Sequence, residues 1–175
     1  MRYSLIREMD VSNGEGVGIS LFVQGCHFHC PGCFNQETWD FDGGKEWTKE
    51  IEEKFIELAR RPFIKRISFL GGEPLAYENV DTVLHLVKFF KTHLPEKRIW
   101  LYSGYRWEEI VACHGEKAIE RLMTVSLLDV FVDGRFQIDK QDINHKTIKW
   151  AGSTNQRAID VRKTLCSEGI KLLGE

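Results

Sequence analysis

Short apolar, β-rich runs alternate along this chain with longer stretches in which apolar residues recur every three or four positions. The first strand candidate covers residues 19–23 (Ile19-Ser20-Leu21-Phe22-Val23) and runs directly into a loop holding three cysteines. Trp47, Ile51, Phe55, Leu58 and Ala59 share one face of a helix predicted over 47–60, and Pro62 marks its end. A second strand, 64–70, meets Gly71-Gly72-Glu73-Pro74. The next helix, 80–94, carries Val80, Val83, Leu84, Val87 and Leu94 on one face, with Asn79 placed as a cap and Pro95 as the stop. Strands follow at 98–102 and 127–132, with helical material over 107–123 between them and a weaker fifth strand at 147–150.

Strand, polar or Gly-bearing loop, helix, repeated: this pattern predicts an α/β fold with parallel strands joined by crossover helices. An eight-stranded barrel needs about 250 residues. The 175 residues here predict an incomplete, open (β/α) barrel of about five or six mostly parallel strands. With no repeat, linker tract or break in composition, the chain reads as a single domain over 1–175, its motif-bearing core at about 10–162. The chemistry-bearing loops follow strands, the edge of a parallel sheet where active sites collect.

Composition narrows the class. With 42% hydrophobic and 29% charged residues, the mix is that of a globular protein, not of a disordered or collagen-like one. Lys and Arg number 24 against 26 Asp and Glu, so no strong field exists to hold nucleic acid or anionic lipid. No apolar run approaches the roughly 18 residues that span a bilayer. The opening Met1-Arg2-Tyr3-Ser4 leads into charged residues rather than a signal-peptide stretch, so a cytoplasmic protein is expected, with neither a nucleic-acid nor a membrane partner.

Cysteine usage gives the first chemical signal. Of five cysteines, three crowd into Cys26, Cys30 and Cys33. Cys at both +4 and +7 of a given Cys arises by chance roughly once in a thousand. Cysteines so close in a cytosolic chain read as metal ligands or redox groups. A closed zinc site needs a fourth ligand. His27 and His29 sit in the same short loop, awkwardly placed to reach one tetrahedral centre, and Cys113 and Cys166 form no second knuckle. Three thiolates suit a 4Fe–4S cluster with one iron left open for a ligand. A zinc-stapled binding module without catalysis stays as the alternative from another class.

Cys-x3-Cys-x2-Cys after a first strand, followed by Gly71-Gly72-Glu73-Pro74 after the next, resembles the signature of radical S-adenosylmethionine (SAM) enzymes. Further blocks narrow the likeness: Gly14-Glu15-Gly16-Val17-Gly18, Cys30-Pro31-Gly32-Cys33-Phe34-Asn35, Tyr102-Ser103-Gly104-Tyr105, Asp129-Val130-Phe131-Val132-Asp133-Gly134 and Gly152-Ser153-Thr154-Asn155-Gln156-Arg157. In order and extent they resemble the activating proteins of anaerobic (class III) ribonucleoside-triphosphate reductase. The resemblance implies a 4Fe–4S cluster on Cys26, Cys30 and Cys33, with SAM chelating the open iron. It implies reductive cleavage of SAM and transfer of the radical to a glycine of the reductase large subunit, with a flavodoxin- or ferredoxin-type electron donor. Among cofactor-binding residues it implies Gly32, Cys33 and Phe34 at the adenine end of SAM, Gly71, Gly72 and Glu73 at its amino group, and Ser103. No catalytic residue beyond cluster and SAM is implied. A radical SAM enzyme acting on a small molecule, of the deazaguanine-forming type, is the nearer alternative.

Other residues read more plainly. Asp133 suits a ribose contact or an Asp-Gly turn equally. The charge run 45–54 reads as a solvated helix face. Cys113 and Cys166 read as packed thiols, and the five tryptophans as core or partner-surface anchors.

Overall fold

The computed structural model describes residues 1–142 and 149–174. In chain order the elements are β1 (Arg2–Asp10), β2 (Gly18–Val23), β3 (Lys45–Glu46), α1 (Lys49–Arg60), β4 (Arg66–Gly71), α2 (Val80–His93), β5 (Arg98–Ser103), α3 (Trp107–Val111), α4 (Ala118–Ser126), β6 (Val130–Asp133), β7 (Arg157–Asp160) and α5 (Val161–Leu165). The strands form one mixed sheet in the order β3-β1-β2-β4-β5-β6-β7. β2, β4, β5 and β6 pair in parallel at its centre, in registers such as Ile19↔Ile67↔Ile99. β1, β3 and β7 join by antiparallel pairings at the flanks.

The parallel centre follows from the sequence. β2 and most of β4 are buried on both faces, which calls for continuous apolar runs such as Ile19–Val23. Ile19, Leu21 and Val23 point toward the helices and join Phe55, Val83, Val87 and Phe90 in the main core. Alternate residues point to the other face. There Trp100, Val130, Val132 and Ala151 make a smaller cluster beside a cavity.

Several boundaries shift for local reasons. α1 begins at Lys49 because the Thr48 side chain caps it, accepting from Ile51 N–H at 3.4 Å. Trp47 instead packs edge-on against Tyr3 and Phe55. Asn79 stands at the N-cap position of α2 without capping it, because its amide donates to the Gln24 and Glu73 carbonyls at 2.9 and 3.0 Å. The helical stretch expected over 107–123 splits into α3 and α4 where Gly115 and Lys117 take positive φ. Of the strand expected over 147–150, Lys149 and Trp150 form a turn, and 147–148 lie outside the described residues.

Among the described residues seven strands stand where five or six were expected, and half of their pairings are antiparallel. β1 escapes the pattern because it is charged and partly exposed, β3 because it has two residues, and β7 because it has four, the first of which, Arg157, belongs to a polar motif. Among the described residues no helix is long and apolar enough to cross a membrane.

The loop from β1 to β2 closes over a buried arginine. The Arg66 guanidinium donates to the Asp10 carbonyl at 2.7 Å, to the Asn13 carbonyl and to Ser68 Oγ. Asp10 in turn accepts from Ser12 N–H, Asn13 N–H and Ser20 Oγ–H. Gly14 lies so close over this group that a Cβ there would stand 2.5 Å from Arg66 Cδ. The glycine-rich block of the sequence is therefore the cover over Arg66.

Candidate functional site

The ends of β2, β4, β5 and β6 carry the loops that define the site, all at the C-terminal edge of the parallel strands. The cysteine loop leaves β2 and is fastened at its base by main-chain bonds. Gly25 N–H donates to Thr38 O at 2.7 Å and Cys26 N–H to Trp39 O at 3.0 Å, while the Gln24 amide donates to the carbonyls of Glu37 and Asp40. Gly25 sits at φ +93 with the Phe41 ring where a Cβ would be, so only glycine fits there.

The Gly-Gly-Glu-Pro turn after β4 docks directly on this loop. Gly72 N–H donates to Val23 O at 2.9 Å and Glu73 N–H to Gly25 O at 2.8 Å. The Glu73 carboxylate, 2% exposed, reaches across to β5. It accepts from Ser103 Oγ–H and Gly104 N–H, each at 2.8 Å, and from Leu75 N–H at 2.8 Å. Burial pushes its pKa up to about 7, against the pull of those three donors. One carboxylate thus ties the turn after β4 to the end of β5.

These loops surround a cavity of about 610 Å³, within the range of small-molecule sites. It is lined by Cys26, Cys30, Cys33, Phe34, Gly71, Gly72, Glu73 and Ser103. Eight of the nine residues singled out in the sequence are therefore brought together. Gly32 is the exception: at φ +73 it lies under Ile138, whose Cδ1 a Cβ would meet at 2.4 Å. Phe34, 62% exposed, packs against Phe136 with ring centres 5.0 Å apart and planes tilted by 55°.

The donor set suits a cluster better than a single ion. Burial pushes the Cys26 thiol up to about 11, with Glu73 adding to the rise, and Cys30 is raised by burial and by Cys33. A bound metal would displace those protons. Among the described residues, no three His, Cys, Asp or Glu side chains are grouped as ligands of one ion. His27 turns to Glu78, at 3.1 Å, and His29 packs at a tilt against Trp39, with ring centres 4.8 Å apart. Neither histidine lines the cavity, nor does Cys113 or Cys166.

Sequence reasoning missed much of the lining. Arg7, Ser12, Asn13, Phe22, Leu70 and Tyr102 extend the cavity along the inner sheet face. Asp10 pairs with Gly18, so Ser12 and Asn13 stand at the edge opposite the cysteines, a strand length of roughly 20 Å away. The alternation of Ser20 and Phe22 with buried core residues was the available signal, masked because both faces of β2 are covered.

The Asn155-Gln156-Arg157 block now has a physical role. Gln156 Oε1 accepts from Gly152 and Ser153 N–H, and its Nε2 donates to Gly134 O at 2.8 Å. Arg157 donates to both carboxylate oxygens of Asp133 and to both of Glu108. Asp133 is fully buried and also accepts from Trp107 N–H, so its carboxylate serves the wall, leaving the turn role as the one the geometry supports.

Comparison with known proteins places the chain. Residues 12–159 match a family model described as a 4Fe-4S single cluster domain. The chain is 39% identical over 158 residues to the anaerobic ribonucleoside-triphosphate reductase-activating protein of Salmonella typhi, covering 89% of this chain and 96% of the relative. It is 37% identical to the protein of that name from Escherichia coli (strain K12), with the same coverage. The protein of that name from Enterobacteria phage T4 is 34% identical over 157 residues, covering 90% of this chain and 92% of its own length.

Proposed function

The chain belongs to the family of anaerobic ribonucleoside-triphosphate reductase-activating proteins, and from that premise we propose how its residues carry out the activation. It is an iron–sulfur activating enzyme whose partner is the reductase. Cys26, Cys30 and Cys33 would hold the 4Fe–4S cluster, with SAM beside it. When bound, the cluster would supply the reducing electron for the cleavage of SAM, the chemistry through which a glycine of the reductase would come to carry its radical.

The chain's own residues bind and orient. The Gly71-Gly72 backbone and Glu73 receive the amino end of SAM, and Glu73 is held rigid for that task by Ser103, Gly104 and Leu75. Cys33 and Phe34 receive the adenine end, with Gly32 forming the turn behind them outside the cavity lining, and Ser103, bonded to Glu73, stands at the amino end. The Gln156 and Arg157 bonds fix the opposite wall. The sheet is read as an incomplete barrel within a single domain, its inner face open to a segment of the reductase. A flavodoxin- or ferredoxin-type donor supplies electrons in the cytoplasm.

One observation carries this reading: a single cavity lined at once by Cys26, Cys30, Cys33, Gly71, Gly72, Glu73 and Ser103. Its test is anaerobic purification followed by metal analysis and EPR. About four iron atoms per chain are expected, lost in a Cys30→Ala variant. A glycyl-radical signal should appear only when reductant, SAM and reductase are all present. A colourless protein holding one zinc, or SAM cleavage with no radical on the reductase, overturns it.

A further inference from the structure

Arg135, in the turn after β6, reaches across the cavity mouth to the cysteine loop. Its guanidinium carbon lies 4.4 Å from the centre of the Phe28 ring, and Phe28 is the residue midway between Cys26 and Cys30. That ring is itself held: it packs edge-on against Tyr105 with centres 4.9 Å apart, and a Cβ at Gly104 would meet it at 2.4 Å. Arg135 and Phe28 line the cavity together with Cys26 and Cys30. The turn carrying the arginine is fixed from behind, where Asn155 Nδ2 donates to Arg135 O and Gln156 Nε2 to Gly134 O, each at 2.8 Å. Glu109 of α3 accepts from the guanidinium at 3.3 Å. Burial and Cys33 raise the Cys30 thiol, while Phe136 N–H and the Arg135 charge pull it down, so the cation is felt at that sulfur.

We propose that the Arg135 guanidinium, seated on the Phe28 ring, raises the reduction potential of the cluster through its charge, and that Glu109 sets how much of that charge is felt. In the step concerned one electron passes from a reduced flavodoxin- or ferredoxin-type donor to the cluster, and no bond or proton is exchanged. The reduced form carries one more negative charge, so a fixed cation nearby stabilises it more than the oxidised form. Attraction of this kind acts across several ångströms and needs no hydrogen bond from arginine to sulfur. Arg135 is a tuning residue in this scheme and makes no bond to iron. The inference rests on Cys26, Cys30 and Cys33 being the ligands.

The test uses anaerobically reconstituted full-length protein and three replacements. Arg135→Met removes the charge and keeps an apolar chain over Phe28; Arg135→Lys keeps the charge; Glu109→Gln removes the opposing charge. Iron per chain and the midpoint from an EPR-monitored titration are measured for each, with and without SAM. Iron should be unchanged throughout. The midpoint should fall in Arg135→Met, stay near the native value in Arg135→Lys and rise in Glu109→Gln. Arg135 is half exposed and paired, so a change of about threefold in the equilibrium constant for reduction is expected. That is about 28 mV, at about 59 mV per tenfold for one electron.

Midpoints that do not move in Arg135→Met and Glu109→Gln, with full iron, overturn this inference alone. So does a shift of the same sign in both, or one that lysine fails to restore, because packing and not charge is then responsible. A shift seen only with SAM present also overturns it, since the guanidinium then acts on SAM. If Arg135→Met loads no iron, the direction of the Glu109→Gln shift decides. A native protein without iron overturns the ligand assignment, and this inference with it.

Discussion

Gly72→Ala tests the contact on which the site is built. A Cβ at Gly72 would stand 2.4 Å from the Gly25 carbonyl oxygen and 2.9 Å from its carbon. Carbon and oxygen normally approach no closer than about 3.3 Å, so the turn and the cysteine loop must part by about 1 Å. Both partners are backbone, and no side-chain rotation relieves the overlap. The shift breaks the 2.8 Å bond from Glu73 N–H to Gly25 O. One lost hydrogen bond costs about 1 kcal/mol and overpacking about 1–3, together about 2–4 kcal/mol. In a domain of this size that lowers Tm by roughly 5–15 °C. A 1 Å displacement at a reacting site also costs about 100-fold in rate, here in the reductive SAM cleavage proposed above.

Thermal unfolding, iron content and methionine release measure the three consequences. Gly115→Ala is the control: Gly115, unlike Gly72, has positive φ, but nothing lies within 4 Å of its Cβ position, so the variant should lose some stability and no cleavage activity. A Gly72→Ala protein that melts within about 2 °C of the native one and cleaves SAM at the native rate would refute the close-approach argument.

Arg66→Met strands the carbonyls of Asp10 and Asn13 in a buried site and should cost about 3–5 kcal/mol, read as a lower urea midpoint. A loss below about 1 kcal/mol would show that the guanidinium is dispensable. Arg157→Gln addresses pH. Its hydrogen bond and charge hold the Glu108 carboxyl down at about 2, below the roughly 4.3 expected when unfolded. The resulting stabilisation is complete above that unfolded value and is lost as pH falls toward 2. Glu108 is half exposed, so salt screening keeps the effect small. Urea midpoints between pH 5 and 2.5 should fall less steeply in the variant than in the native protein, and identical slopes would exclude the pair as a source of acid sensitivity.

The central strands and the cysteine loop were legible because their signals are local. Ile19–Val23 is apolar on both faces, and the three cysteines stand within eight positions of one another. β1 was not legible: Arg2, Arg7, Glu8 and Asp10 interrupt its apolar positions, as a half-exposed strand near the sheet edge permits. The Asn155-Gln156-Arg157 block was visible as a motif but silent as to role. Arg157 finds its partners 24 and 49 residues away, and Gln156 bonds across 22 residues to Gly134. The deep half of the cavity stayed hidden for the same reason, since Arg7, Phe22 and Tyr102 meet only once the sheet has formed.

The base of the cysteine loop is fastened by Gly25, Cys26 and Gln24 to the segment Glu37–Asp40 through main-chain and amide bonds in which no metal takes part. If the three thiols hold a cluster as proposed, its loss should leave these bonds made, and repair after damage would be a refilling rather than a second folding.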